Sequence, residues 1–422
     1  MISVRGGLLI LSIPLKLLYV LVKYPFVGGI TEKFRSSLIN SLKLQLYRAA
    51  LAVPVRDSAL LSILSNYFLI NKLMKSLHPH LSDLPNYGIR FDQQSFWLVK
   101  APYRSRSDPI LIYLHGGGYY FETMPSQLES VLAIYHLLSP EKRRKLSVLH
   151  LDYKLAAQGY PVATQMYQLA ETYARLVAVG NTNFVLMGDS AGGHLAITFL
   201  QFIRHSYATS MPSPTTLIYP KSVILVSPWC KVMPGDHQFS PGWSYYDNYR
   251  RDVIQYHIFH ETHRHWDLLG DTDHQALIIS PGNHPYSYSD WDSIPTLNNE
   301  NYHVFVVAGE HESFRDDVLE WCKYALKCPL YDMHQNIDSG GVLDPKKHEY
   351  IRQDEPGKST VQVYVEPWGV HDAIFYFENV IVSKFKKNHA LLRLDQVDPT
   401  EFFGIYRVVK FLNETLEIED YV

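Results

Sequence analysis

Short apolar runs alternate along most of the chain with longer stretches whose apolar residues recur at helical spacing. The short runs favour buried strands, and the 3.6-residue period favours amphipathic helices. The pattern predicts, in chain order, strand 109–114, helix 126–138, strand 146–152, helix 162–179, strand 183–187, helix 191–206, strand 221–227, strand 302–308, helix 314–327 and strand 360–365. Strands separated by helices are typical of βαβ units, so we predict an α/β fold with a mostly parallel central sheet flanked by helices.

This alternation is preceded, interrupted and followed by segments of other character. Residues 88–100 have the pattern of a strand or hairpin at a sheet edge, and residues 230–300 are crowded with Trp, Tyr and His. We expect the aromatic segment to be a cap inserted into the sheet-forming part. Residues 329–358 are polar and predict an exposed loop. Residues 372–386 and 398–416 predict a late helix and a closing helix.

The amino terminus predicts a membrane anchor. From Gly6 to Val22 the chain is almost entirely apolar, and as a helix this run is about 25 Å long, slightly short of the hydrocarbon core. Continuing to Val27 closes the gap if Lys16 and Lys23 extend their charged ends to the interface. The alternatives are a cleaved signal peptide and a helix that lies in the membrane interface.

Two further helical patterns follow the apolar run, at 31–53 and 57–76, and we interpret them as packing helices that form part of a lid. The domain organisation predicted from these patterns has three parts. Residues 1–28 are the anchor, residues 29–87 a helical cap segment, and residues 88–422 a catalytic domain that contains the aromatic insertion and the polar loop.

The composition limits the possible binding partners more than it limits the cellular compartment. The net charge of −3 gives no electrostatic reason to expect nucleic acid, and 46% apolar residues provide for a sizeable core. Cys230, Cys322 and Cys328 are too few for a disulfide framework and leave the redox compartment open. One glycosylation sequon begins at Asn413, which fits a lumenal glycoprotein. The oligomeric state is left open.

The run GDSAGG at 188–193 joins an apolar strand to a helical pattern. A serine on such a sharp turn is exposed to a base, and the helix that follows favours negative charge at its amino end. Gly188 and Gly192 flank Ser190 because a Cβ would clash where the backbones approach closely. The pattern indicates that Ser190 is a nucleophile for acyl transfer.

A second motif, His115-Gly116-Gly117-Gly118, also follows an apolar strand. Tetrahedral intermediates carry a negative oxygen that needs two or three backbone amides, and consecutive glycines let a loop turn its amides toward one point. We predict that the amides of Gly117, Gly118 and Ala191 form an oxyanion hole. We expect His115 and Gly116 to support this loop rather than transfer protons.

The partners of the serine are expected after late strands, the acid first and then the histidine. Glu312 and Asp316 follow strand 302–308, and His371 follows strand 360–365. We therefore assign His371 as the base and Glu312 as its acid, with Asp316 as the alternative.

Histidines also gather in the aromatic insertion, at His257, His260, His263 and His265. A metalloprotease helix needs His-Glu-x-x-His, and Arg264 stands where the second histidine of that motif belongs. We therefore expect no metal, and nothing else in the sequence indicates a cofactor.

These motifs together resemble the hormone-sensitive-lipase-like branch of the α/β-hydrolases, which includes arylacetamide deacetylases. The similarity spans roughly residues 88–390 and extends to the run YKLAAQGYP at 153–161 and to SPW at 227–229. The branch has Asp-Pro-Leu-Arg-Asp where residues 312–316 read ESFRD. The resemblance implies an α/β-hydrolase fold with Ser190, His371 and Glu312 as the triad, and with Gly117, Gly118 and Ala191 as the oxyanion hole.

With its apolar amino terminus and two lid-like helices, the whole chain looks like the fungal steryl acetyl hydrolases. That resemblance implies an endoplasmic-reticulum membrane enzyme with a single-pass anchor and a lumenal catalytic domain. It also implies removal of acetyl groups from acetylated sterols through an acyl-serine intermediate.

The many tyrosines, 30 in all, fit an aromatic cap over a flat, hydrophobic alcohol delivered from a membrane. Two rival interpretations remain at this stage. One is a hydrolase of small aryl esters, arylacetamides or formamides, and the other is a ligand receptor that keeps this fold without catalysis.

Overall fold

A computed structural model describes residues 2–62, 64–208, 217–260, 263–333, 339–353, 355–387 and 392–418. In these residues one sheet of nine strands runs through the molecule in the order β1-β2-β4-β3-β5-β6-β7-β9-β8. The strands are β1 Arg90–Asp92, β2 Ser95–Val99, β3 Ile110–Leu114, β4 Ser147–Leu151, β5 Phe184–Asp189, β6 Ser222–Val226, β7 His303–Gly309, β8 Glu349–Arg352 and β9 Thr360–Glu366.

The sheet is parallel from β4 through β3, β5, β6 and β7 to β9, and β1, β2 and β8 are antiparallel at its two edges. The central strands β3 to β6 are buried throughout, which is the reason that they appear in the sequence as continuous apolar runs. The parallel strands place the loops that follow β5, β6, β7 and β9 at the same edge. The predicted α/β-hydrolase architecture is confirmed, including the hairpin at residues 88–100.

The longer helices are α1 Val4–Val27, α2 Leu38–Leu51, α3 Pro125–Leu137, α4 Thr164–Ala178, α5 Ala191–Ala208, α6 Arg315–Leu326 and α7 Phe403–Thr415. The shorter helical segments are Asp57–Leu60, Asn66–Phe68, Leu69–Met74, Lys75–Leu77, Pro79–Ser82, Pro140–Lys145, Ala156–Gln158, Asp236–Phe239, Ser244–Asp247, Tyr256–His260, Arg264–Leu269, Tyr288–Asp290, Pro295–Asn298, Leu330–Met333, Pro345–His348, Ala373–Tyr376, Glu378–Ile381, Val382–Lys387 and Leu394–Gln396.

Two expectations about local structure were wrong. The segment 329–358 is not only a loop, because it contains β8, which pairs with β9 and closes that edge of the sheet. The predicted helix 372–386 is broken into three short segments. The break places the buried Glu378 carboxylate on the first turn of α7, where it accepts the N–H groups of Gly404 at 2.9 Å and Ile405 at 2.8 Å.

The first predicted lid helix is shorter than expected, and the second is interrupted. α2 covers only part of residues 31–53, and the pattern at 57–76 divides into a 3₁₀ turn and a helix with a π segment. α2 packs inward: Leu44 is fully buried, and Arg48 donates hydrogen bonds to the backbone carbonyls of Asp252 at 2.6 Å and Arg250 at 2.7 Å. The amino-terminal region is thereby tied to the segment 230–300.

α1 is the one helix in the described part of the chain that is long and apolar enough to cross a membrane. A signal sequence can have the same length and apolar composition. The helix packs against α2, and its first turn is held where the Ser3 N–H donates to Asp57 at 3.0 Å. Gly6 is buried against Asp57. Glycine is needed at this position because a Cβ would lie 2.2 Å from the Asp57 carboxylate. Most of the other side chains of α1 point away from the protein.

The cysteines and the sequon lie in the interior or near it. Cys230, Cys322 and Cys328 are free thiols and buried. Asn413 is half-buried on α7, and its side-chain oxygen accepts the N–H of Ser139 at 3.0 Å.

Candidate active site

Ser190 lies on the turn between β5 and α5 in a left-handed conformation with φ of +49°. Such a conformation is strained for a residue with a Cβ and persists only where the surroundings enforce it. A Cβ on Gly188 would lie 2.3 Å from the backbone of Gly192, and one on Gly192 would lie 1.8 Å from the carbonyl oxygen of Leu114. The two glycines therefore allow the close packing that holds Ser190 at the end of the strand.

The structure brings Ser190, His371 and Glu312 together from three separate loops. The His371 Nε2 lies 3.0 Å from the Ser190 Oγ, and the His371 Nδ1 lies 2.9 Å from the Glu312 Oε1. All three residues are buried. The arrangement has the connectivity of a nucleophile, its base and the acid that orients the base.

Glu312 is held on its far side as well. Its Oε2 accepts hydrogen bonds from the Ser227 Oγ and the Gly309 N–H, both at 2.8 Å. Asp316 lies elsewhere: it pairs with Arg315 and accepts the N–H of Ser244 at 2.7 Å. Of the two acids considered from the sequence, Glu312 is the one that contacts His371.

Asp252, in the segment 230–300, holds the backbone of the loop that carries His371. Its Oδ1 accepts the N–H of His371 at 2.7 Å, and its Oδ2 accepts the N–H of Ser313 at 2.8 Å. The side chain is fully buried, and burial raises the pKa of its carboxyl group. No motif in the sequence indicated this residue, because its partners are backbone amides more than 60 positions away.

Asp372 adds a second carboxylate beside the base. Its Oδ2 lies 3.2 Å from the His371 Nε2, the nitrogen that also faces Ser190. Neither oxygen of Asp372 receives a hydrogen bond from the described residues, and the backbone is left-handed with φ of +52°. Burial raises the pKa of Asp372 to about 6. In the sequence, only the position of Asp372 next to His371 indicated that it lies in the site.

These carboxylates set the charge state of the base. Burial by itself would lower the pKa of His371, but the neighbouring Asp372 and Glu312 raise it well above its ordinary value. The protonated imidazole is thus strongly stabilised in this site, which is the form that proton transfer from a serine produces.

The glycine loop lies beside Ser190. Gly117 and Gly118 have φ of +116° and +61°, and both line the same cavity as Ser190. Within the described residues, the N–H groups of Gly117, Gly118 and Ala191 donate to no backbone carbonyl. Unpaired amides at a helix start and in a glycine loop are suited to bind a developing oxyanion.

His115 and Gly116 lie at the start of this loop and pack against Tyr153 and Asp189. The His115 ring stacks on Tyr153 at 4.1 Å between centroids, and the Tyr153 hydroxyl donates to the His115 carbonyl at 2.5 Å. Burial lowers the pKa of His115 to about 3, so the ring is neutral. Gly116 packs on Asp189, where a Cβ would lie 2.3 Å from the carboxylate.

Asp189, the residue before Ser190, anchors the turn. Its two oxygens accept hydrogen bonds from the Tyr113 hydroxyl and the Gln127 amide, both at 2.7 Å. Burial raises the pKa of Asp189 to about 8. The residue before the nucleophile is therefore a structural contact between β3, α3 and the turn.

A narrow cavity of about 20 Å³ opens onto Ser190. Its walls come from the end of α2, the glycine loop, the segment 230–300 and the loops that follow β7 and β9. The lining residues are Leu51, Gly117, Gly118, Tyr120, Ser190, Trp229, Ile254, Ile258, Phe259, Arg264, Phe314, His371 and Tyr376. The cavity is thus mostly apolar and aromatic, with a few polar groups at the serine and one arginine.

Among the described residues, no three His, Cys, Asp or Glu side chains gather as a metal site would require. The ring of His265 packs against His274 at 5.2 Å, and that of His260 against Phe239 at 4.6 Å. These histidines take part in ordinary packing within the cap.

The chain is similar to proteins described as steryl acetyl hydrolases. The family described as "Steryl acetyl hydrolase" matches residues 85–339. "Putative steryl acetyl hydrolase mug81" of Schizosaccharomyces pombe is 29% identical over 301 residues, which is 69% of this chain and 75% of that protein. "Steryl acetyl hydrolase 1" of Saccharomyces cerevisiae is 28% identical over 150 residues, 33% of this chain and 32% of that protein.

Solved esterase structures are more distant. An esterase of the bacterial hormone-sensitive lipase family aligns with a TM-score of 0.49 and 17% identity, over 89% of this chain and 98% of its own. Carboxyl esterase 2 from Tuber melanosporum aligns with a TM-score of 0.47 and 14% identity, over 74% of this chain and 80% of its own.

Proposed function

The chain belongs to the steryl acetyl hydrolase family and is an ester-bond hydrolase, and we propose that it works through a serine nucleophile on short-chain esters of hydrophobic alcohols. The observation that carries the proposal is the hydrogen-bonded series from Ser190 through His371 to Glu312, with distances of 3.0 and 2.9 Å. Acetylated sterols are the proposed substrates.

In the proposed mechanism, His371 takes the hydroxyl proton of Ser190 as the Oγ attacks the ester carbonyl carbon. The C=O electrons move onto the carbonyl oxygen, and this oxyanion is bound by the amides of Gly117, Gly118 and Ala191. Collapse of the intermediate breaks the bond to the alcohol oxygen, which receives the proton from His371. Water then attacks the acyl-serine by the same route and releases the acid.

The carboxylates around His371 have distinct proposed roles. Glu312 holds the Nδ1–H, which fixes the tautomer whose Nε2 accepts the serine proton, and stabilises the imidazolium that forms. Asp252 fixes the loop that carries His371.

The acetyl group and the sterol are proposed from the family, and the cavity lining supports a hydrophobic alcohol. The cavity beside Ser190 is small, and aromatic residues such as Trp229 and Phe314 stack at its wall, 6.2 Å apart with nearly parallel rings. Such apolar, aromatic walls suit a hydrophobic alcohol.

We further propose that α1 is a membrane anchor and that residues 29–87 and 230–300 together form the lid over the cavity. Support comes from Arg48, which ties the two segments, and from Leu51, Ile258 and Phe259, which line the cavity from both. The proposed location is the endoplasmic-reticulum membrane, with the catalytic domain (residues 88–422) in the lumen. A hydrophobic ester would then reach the site from the bilayer.

The proposal is tested with a fluorophosphonate probe and an acyl-chain series on the purified full-length enzyme. The wild type should be labelled and should hydrolyse acetates faster than longer esters. Ser190→Ala should abolish labelling, and Glu312→Gln should lower kcat by about 10²–10⁴-fold because the imidazole loses its orienting charge. Asp316→Asn is the matched control and should retain activity, because Asp316 does not contact His371.

Three results would contradict the proposal. Wild-type rates in the Ser190→Ala variant would exclude the serine mechanism. A faster reaction with aryl acylamides than with sterol acetates would favour an arylacetamide hydrolase, and binding without turnover would favour a ligand receptor.

A further inference from the structure

A buried arginine lies in the wall of the mostly apolar cavity. Arg264, the first residue of the short helix Arg264–Leu269, lines the same cavity as Ser190 and His371. Only 4% of its surface is exposed. Arginine is rarely buried to this extent unless its guanidinium is paired.

The contacts of this guanidinium with the protein are weak. Its Nη1 and Nη2 lie 3.5 and 3.4 Å from the hydroxyl oxygen of Tyr120, at the outer limit of hydrogen bonding. The Tyr120 hydroxyl already donates to the carbonyl of Leu51 at 3.1 Å. The carbon at the centre of the guanidinium lies 5.1 Å from the Tyr120 ring and 5.4 Å from the Phe259 ring. In the described part of the chain, its Nε has no partner.

No carboxylate among the described residues pairs with Arg264. The acid of its own helix, Asp267, is occupied by Arg56 at 2.7 Å. Cation–π contacts with two rings compensate only part of the lost hydration. A buried charge without a counter-charge is unfavourable, so the free donors of Arg264 form a site that an anion would complete.

We propose that Arg264 binds a carboxylate, or an equivalent anionic oxygen, carried by the ester substrate. This inference rests on the proposed function, because the anion belongs to an ester whose carbonyl is held beside Ser190. That carbonyl is assigned to the backbone amides, so Arg264 takes a different oxygen of the same molecule. A carboxylate matches the fork of the guanidinium with two parallel hydrogen bonds, whereas a neutral oxygen leaves the charge uncompensated. The substrate class is thus a hydrophobic acetate that carries an acidic group.

The test compares two substrates that differ only in charge: a steroid with a 3-acetoxy group and a side-chain carboxylate, and the methyl ester of that carboxylate. The wild type should favour the acid in kcat/KM by about tenfold or more, the effect of one charge-assisted hydrogen bond. Arg264→Met should remove this preference, because kcat/KM should fall further on the acid than on the methyl ester. Arg264→Lys should keep part of it, because the charge remains without the fork.

Arg175→Met is the matched control, since the side chain of Arg175 is 58% exposed, pairs with Glu171 and lies outside the cavity. It should leave the preference unchanged. Equal losses on both substrates in Arg264→Met would show a structural role and overturn the inference, as would a wild type without preference. If neither ester is hydrolysed, the proposed function fails. In that case, the change in Tm on adding the steroid acid, compared between wild type and Arg264→Met, still decides whether the anion site exists.

Discussion

The charge around His371 comes from side chains that differ in what they can do. Glu312 has both oxygens occupied, by His371, Ser227 and Gly309. Asp372 has neither occupied within the described residues, although it lies 3.2 Å from the nitrogen that faces Ser190. We therefore interpret Glu312 as the orienting group and Asp372 as a charge that shifts the pKa of the base.

This difference predicts a pH effect for Asp372→Asn. A carboxylate beside the imidazole stabilises the imidazolium and raises the pKa of His371, so removing it lowers that pKa. The base is then neutral, and able to accept a proton, at lower pH. The acidic limb of the kcat/KM profile should move to lower pH, measured with p-nitrophenyl acetate.

Asp316→Asn removes a carboxylate that contacts Arg315 rather than His371, and it should leave that limb in place. A limb that stays fixed in Asp372→Asn, or moves to higher pH, would contradict the assigned role of Asp372.

The unit formed by β5, the turn and α5 depends on close backbone contact. The turn can present Ser190 only because α5 starts directly against β3, where Gly192 touches Leu114. Ser190 is held from the other side as well, since its N–H donates to the Val226 carbonyl at 2.9 Å and its own carbonyl accepts the Trp229 N–H at 3.0 Å.

Gly192→Ala should therefore damage the unit. The new Cβ would lie 1.8 Å from a carbonyl oxygen that belongs to a buried strand and has no room to move. We expect a loss of about 1–3 kcal/mol or more in the free energy of unfolding, together with loss of fluorophosphonate labelling. Gly7→Ala is the control, because a Cβ there meets no atom within 4 Å. Unchanged Tm and labelling in Gly192→Ala would contradict this account of the turn.

A strongly apolar surface of the molecule is the outward face of α1. The side chains on this face follow a helical stripe and are 54–82% exposed: Val4, Leu8, Leu11, Leu15, Leu18 and Val22. The opposite face is docked through Gly6 and Val20, which are buried. A contiguous stripe of this kind is typical of a surface that contacts a membrane.

Replacing Leu8, Leu11 and Leu15 together by Ser should release the protein from membranes. These side chains make the stripe but are not part of the buried core, so p-nitrophenyl acetate hydrolysis should continue. The measurement is the distribution of protein and activity between membrane and soluble fractions. Replacing the buried Val20 by Ser should instead lower Tm. A triple variant that stays with the membranes would exclude α1 as the anchor.

Much of this architecture follows from local patterns in the chain. Buried parallel strands require apolar side chains on both faces, so β3, β5 and β7 are visible as continuous runs. Strained turns and close backbone approaches require glycine, so the loops at Gly117 and Gly192 are visible as motifs. The order of strands and loops then indicated Ser190 and His371 as a pair, and Glu312 with Asp316 as the candidate acids.

Other features depend on residues that meet only after the chain has folded. A buried aspartate such as Asp252 binds backbone amides, which leave no mark on the sequence. Arg264 is buried with no carboxylate partner among the described residues, and the proposed anion site depends on that burial. β8 lies in a polar segment at the edge of the sheet and, among the described strands, pairs only with β9, so its extended conformation depends on hydrogen bonds to β9. Periodicity and turn chemistry are local and can be recognised along the chain, whereas burial and the pairing of charges depend on which distant segments come into contact.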